Sequence, residues 1–175
     1  MLRNKFTGPG KPFGEPNPAR LKQLEEYFTL IRLGELQRNP LSGHFDYDHM
    51  KAIHHHIFQD VYEWAGQERT APTSGPMTKD GFAYYPAGPQ LTDAAEAEYA
   101  KIAAANYLRD YQRDEFLAEL AERWGELNVV HSFREGNTRA QFVFFSALTK
   151  LAGYQLDTDA FQIGNRLRNA FVEAR

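Results

Sequence analysis

Apolar residues recur every three or four positions through most of the chain, a period that dictates helices burying one face. Leu21, Leu24, Phe28 and Ile31 form one such stripe after Asn17-Pro18, where an Asn cap and a first-turn Pro start a helix without losing a bonded N–H. Met50, Ile53, Ile57, Val61 and Trp64 form a second, from near Asp46 to a stop at Gly66. Asp93 with Glu96 reads as a capping box before an alanine-rich helix reaching Leu108. Leu117, Leu120, Trp124 and Leu127 mark a helix from Asp114 to Val130. Phe142, Phe145 and Leu148 mark another from Asn137 to Leu151, with Gly153 as its stop. A last helix is expected from Thr158 to the end.

The fold class is therefore all-α: a single helical domain over 18–175, preceded over 1–17 by an arm rich in Pro and Gly. That arm is expected to lie extended on the domain, or to order on a partner. Residues 70–90 break the helical pattern. Pro72, Gly75, Pro76, Gly81, Pro86, Gly88 and Pro89 surround Phe82-Ala83-Tyr84-Tyr85, the mark of a loop or small β-hairpin with an exposed edge.

Composition narrows the chemistry. The 175 residues include no cysteine, which removes disulfides, Cys-ligated zinc and thiol nucleophiles together. Lys and Arg number 20 against 23 Asp and Glu, a net charge of -3 that argues against a general nucleic-acid coat. No apolar run approaches the roughly 20 residues of a bilayer span, and the first residues lack a signal peptide's apolar core. A cytoplasmic setting is expected. His54, His55 and His56 fan out by about 100° each on a helix, so they cannot share one ion; one packed and two exposed histidines is the expectation.

The chemistry gathers in His131-Ser132-Phe133-Arg134-Glu135-Gly136-Asn137-Thr138-Arg139, a loop that opens a helix. A helix N-terminus presents unpaired N–H groups at its positive dipole end, so such a loop can cradle phosphate oxygens, and Arg139 in the first turn can clamp them. Glu135 would repel phosphates unless Mg²⁺ lies between, and His131 can take a proton near neutral pH. These groups together describe phosphoryl or nucleotidyl transfer. Spacing alone fits equally an ordinary helix start, with Asn137 as its cap, Glu135 solvated and His131 a hydrogen-bonded histidine.

This segment resembles the Fic family signature, HPFx[D/E]GNGRxxR, at His131, Phe133, Glu135, Gly136, Asn137 and Arg139. Residues 53–70, IHHHIFQDVYEWAGQERT, resemble the family's helix ending in a Trp-Ala-Gly turn, here Trp64-Ala65-Gly66. The resemblance implies a Fic-fold helical bundle with a β-hairpin flap, transferring AMP from Mg²⁺-ATP to a hydroxyl of a target protein. Under it His131 is the base, Glu135 holds Mg²⁺, and Gly136, Asn137, Thr138 and Arg139 contact the nucleotide phosphates. Phe133 and Trp64 are structural. Phe82, Ala83, Tyr84 and Tyr85 form the flap on which a target segment docks.

Three departures accompany the match: Ser132 for Pro, Thr138 for the second Gly, and Phe142 for the second Arg. They leave open a binding or regulatory module that has lost turnover, or an enzyme with another donor or with phosphate transfer. No [S/T]xxxE[G/N] inhibitory helix occurs in the chain, so any inhibition is expected from a separate small antitoxin. Family members act as toxins inside bacteria or as effectors delivered into host cells.

Overall fold

The structure, a computed structural model, describes residues 3–70, 78–79, 82–157 and 166. Among these it has five α-helices: α1 (Pro18–Arg38), α2 (Tyr47–Phe58), α3 (Pro89–Ala104), α4 (Arg113–Val130) and α5 (Asn137–Leu151). Two short strands, β1 (Thr78–Lys79) and β2 (Phe82–Ala83), pair antiparallel with Thr78 opposite Ala83. The helix expected from Thr158 falls outside the described residues except for Arg166.

The central element is α2, which packs on both α1 and α5 while α3 lies against α4. Met50, Ile53, Ile57 and Phe58 of α2 meet Phe144, Phe145 and Leu148 of α5 in one buried cluster. Each such side chain contributes about 1.5–3 kcal/mol of apolar burial. Trp124 stacks on Phe145 at 4.6 Å between centroids. Trp64 stacks on Tyr62 at 4.3 Å at the rim, its indole N–H donating to the Arg3 carbonyl.

Local signals explain the helix ends. Asn17 caps α1 by accepting from the N–H groups of Ala19 and Arg20, and Asp46 caps α2 through His49 N–H. The α2 helix closes at Phe58, earlier than Gly66, and the chain turns through Val61 and Tyr62. The α3 helix starts at Pro89 after Gly88, so Asp93 and Glu96 lie inside it and form no capping box. Pro at the first turn was the stronger signal, because its fixed φ matches the helix. Between α3 and α4, Asn106, Tyr107 and Leu108 all adopt positive φ, a left-handed turn that local sequence does not favour. Complete burial of Leu108 holds it in place.

Two apolar stripes sit differently from the periodicity. In α4, Phe116 is buried and Leu117 exposed. In α1 the buried positions are Leu21, Glu25, Thr29 and Leu36, while Ile31 is exposed and Leu24 and Phe28 are half-buried. The helix is rotated so that two polar side chains point inward. The N-terminal arm is folded back rather than extended. The buried Asn4 side chain accepts from Glu15 N–H and donates to its carbonyl, and Lys5 N–H donates to Val61.

Candidate active site

His131 is the residue on which α4 ends. It takes the left-handed conformation, φ 51°, and its N–H still closes the helix on the Leu127 carbonyl at 3.2 Å. A non-glycine residue held there stores about 1–2 kcal/mol, a cost that surrounding contacts must fix in place. Its ring is stacked on Tyr84, just after β2, with centroids 4.0 Å apart. The residue directly after β2 thus covers the histidine.

Arg69 holds that geometry, and the sequence reading passed over it. The buried guanidinium donates from Nε to the His131 carbonyl at 2.7 Å, and from Nη2 to the carbonyls of Val130 and Tyr85; Arg69 N–H donates to Ser132 O at 3.0 Å. A cation on the last carbonyls of a helix is favoured by the dipole. Burial lowers the pKa of Arg69 from its ordinary value. Tyr85 is fixed twice, since its N–H also donates to Val129 at 3.4 Å. Its backbone is therefore committed to the scaffold, leaving the strand edge to the residues before it. Replacing Arg69 by Lys, which keeps the charge but loses the planar fork, is expected to cost about 1–2 kcal/mol. The Tyr85 amide should exchange faster with deuterium, as read by mass spectrometry.

The loop from 132 to 136 is held from inside. Asn137 side-chain oxygen accepts from Phe133 N–H at 2.9 Å and its amide donates to the Phe133 carbonyl at 2.6 Å. Asn137 is thus the clasp of the loop and not the helix cap, which is Gly136 with φ 83°. It can serve an anion through its backbone N–H alone. Phe133, 1% exposed, stacks on His54 at 3.8 Å.

His54 is the packed member of its triplet, His55 is exposed, and His56 reaches Glu35 at 3.1 Å. Gly66 N–H donates to His54 Nδ1 at 2.9 Å, so the ring is neutral and its Nε2–H donates to the Glu135 carbonyl at 2.9 Å. Burial pulls the His54 pKa down to about 4. The unfolded chain, titrating near 6.5, then binds the proton first. Stability is full above pH 6.5 and falls as pH drops toward 4, by an amount on the order of 3 kcal/mol. Melting temperature against pH should show that slope, and His54→Gln should flatten it. The buried His49, also lowered by desolvation, adds with the same sign.

Beyond the clasp, Glu135 is solvent-facing. Its Oε1 accepts from Gly136 N–H at 3.0 Å and lies 3.7 Å from Arg139 Nη2. The first intrahelical donor of α5 is Ala140, bonded to Gly136 O at 3.2 Å. The N–H groups of Asn137 and Arg139 thus stand in the first turn, ahead of the first such bond. Arg139 is held by Glu25 at 2.5 Å and Thr29 at 3.3 Å, with Phe58 beneath its guanidinium at 4.7 Å. Phe142 is half-buried and tilts against Trp124, 6.1 Å between centroids. The structure therefore joins Tyr84 to His131, and Glu135 to Gly136 and Arg139, across a loop that Arg69, His54 and Asn137 fix.

Among the described residues no group of three or more His, Asp or Glu could hold a metal. The solvent-facing Glu135 carboxylate fits Mg²⁺, which takes one or two protein carboxylates and completes its shell with phosphates and water. No described helix is long and apolar enough to cross a membrane.

The Fic/DOC family model matches residues 44–149. The protein adenylyltransferase VbhT of Bartonella schoenbuchensis is 37% identical over 167 residues, covering 89% of this chain, which spans only 34% of that protein's length. A probable protein adenylyltransferase of Sinorhizobium fredii, y4lH, is 37% identical, with 90% of this chain and 74% of the relative covered. Among solved structures, the BepC effector protein of Bartonella tribocorum with bound AMPPNP superposes with a TM-score of 0.80 at 25% identity, covering 99% of this chain and 84% of that one.

Proposed function

Because the chain belongs to the Fic/DOC family, we propose that it transfers AMP from ATP, with Mg²⁺, to a hydroxyl side chain of a target protein. One observation carries the reading: directly after His131, a solvent-facing carboxylate, an arginine and an open helix N-terminus converge at Gly136.

His131 takes the proton as the target hydroxyl oxygen bonds to the α-phosphorus. The bond from that phosphorus to the bridging oxygen breaks, and diphosphate leaves. The stack on Tyr84 limits the orientations of the imidazole before substrate arrives, and Arg69 fixes the backbone from which it projects. Such positioning accounts for much of the rate when reacting atoms must meet within about 3–3.5 Å. The first-turn backbone of α5, from Gly136 through Asn137 and Thr138 to Arg139, stabilises phosphate charge at the positive end of the helix dipole. Glu135 would hold Mg²⁺, which would neutralise phosphate charge. Phe82, Ala83 and Tyr84 offer the edge on which a target segment adds as a strand beside His131.

Phe142 favours a second reading, because its ring rests against Trp124 where a second arginine would reach the outer phosphate. That geometry suits binding without turnover, or transfer of a different group. ATP labelled at the α-phosphate, incubated with the protein, Mg²⁺ and a bacterial lysate, decides between them. Label on protein with a mass gain of AMP supports the proposal; a gain of phosphate, or nucleotide binding with no transfer, selects the second reading. The target and any antitoxin supplying an inhibitory helix are part of the proposal, and the lysate experiment identifies the first of them.

A further inference from the structure

We propose that Glu25 of α1 is the positioning residue that aims Arg139 at the bound phosphates, an inference resting on the nucleotide chemistry above. Glu25 is buried in a helix whose inward stripe is otherwise apolar apart from Thr29, its neighbour one turn on. Its two oxygens are both used. Oε1 takes Arg139 Nη2 at 2.5 Å, and Oε2 accepts from the buried Tyr62 phenol. Thr29 Oγ1 accepts Arg139 Nη1 at 3.3 Å, and the Phe58 ring supports the guanidinium carbon at 4.7 Å. The arginine is thus gripped by residues of α1 and α2, with Tyr62 of the turn after α2 behind Glu25, while about a third of its side chain remains open to solvent.

Burial of this ion pair is not explained by stability, since apolar residues of similar volume usually do as well or better in such places. Charge is not its purpose either. Arg139 lies between Glu25 and Glu135, so these three side chains sum to one negative charge and attract no anion by themselves. What Glu25 supplies is direction. It fixes a fork of N–H donors that would otherwise swing on a flexible stem, and Tyr62, almost fully buried, fixes Glu25. With Phe142 in place of a second arginine, Arg139 is the one guanidinium on the inner face of the signature helix, so its aim matters more.

The test compares Glu25→Ala and Glu25→Gln in the full chain. Glu25→Ala should lower kcat for AMP transfer by about 10–100-fold, because a shift near 1 Å costs that much, while KM for Mg-ATP changes less than about threefold. Glu25→Gln, which retains an acceptor for Arg139, should recover most of kcat. Wild-type or faster kcat in Glu25→Ala overturns the proposal, as does an equal loss in both variants. A second readout does not depend on transfer. In ¹⁵N-arginine-labelled protein without nucleotide, the Arg139 Nη–H signals should exchange slowly in the wild type and Glu25→Gln, and quickly in Glu25→Ala. If the wild type transfers nothing, the proposed function fails and these signals alone decide: equal exchange in all three overturns the role of Glu25, and the expected contrast supports it.

Discussion

Replacing His131 by Ala is expected to reduce AMP transfer by about 10²–10⁴-fold, the usual contribution of a positioned base. Mg-ATP binding should remain within about threefold. The fold should survive, because Arg69 binds the backbone carbonyls of Val130 and His131 and not the imidazole. What is lost besides the base is the stack on Tyr84, so the Tyr84 amide should exchange faster while the helices do not. Rates at saturating nucleotide, a binding isotherm and a melting curve separate these effects. Transfer above a tenth of the wild-type rate would mean that another group takes the proton.

Gly136→Ala is expected to damage both stability and nucleotide binding. Gly136 has φ 83°, and an added Cβ would lie 2.2 Å from Cζ and 2.3 Å from Cε2 of Phe58. That ring cannot easily give way, since it is completely buried, stacked on His54 and placed under Arg139. Left-handed strain of about 1 kcal/mol or more and overpacking of about 1–3 kcal/mol combine to a loss of about 3 kcal/mol. For a chain of this size that lowers the melting temperature by about 6–12 °C. Nucleotide affinity should fall at least tenfold, because the loop must move to relieve the clash and its N–H groups move with it. A melting temperature within 2 °C of wild type, about the shift of 0.5 kcal/mol, would show that Phe58 is freer than its packing implies.

Much of the architecture was legible in the residues. The start of α5 at Asn137 and its end at Leu151 follow from the glycine before it, the helix formers within it and Gly153 after it. The boundaries of α4 were within one residue, for the same reasons. The signature loop was legible in chemical type: a titratable ring, a carboxylate, a glycine and an arginine in nine residues. The misreadings have separate local causes. Periodicity follows apolar residues, so the α1 stripe runs through Ile31 and passes over the buried Glu25 and Thr29. The α3 start was misplaced because a capping-box pattern inside the helix was preferred over Gly88-Pro89. The cap reading of Asn137 fails because Gly136 is the cap and the Asn137 side chain closes the loop on Phe133.

Arg69 was invisible for a different reason. Its partners are carbonyl oxygens of Tyr85, Val130 and His131, and every residue carries a carbonyl, so no side-chain pattern points to them.

The sequence by itself determined the all-α class, the order of elements around the irregular segment at 70–90, and which residues could do acid–base and phosphate chemistry. Those follow from local rules of helix period, caps and side-chain type. Only the tertiary structure decided which of those groups meet: Tyr84 over His131, His54 beneath Glu135, and Glu25 against Arg139 across 114 positions of chain. The reason is physical: local sequence encodes whether a position is wet or dry. The partner of a buried charge is set by which distant helices pack together and at what rotation.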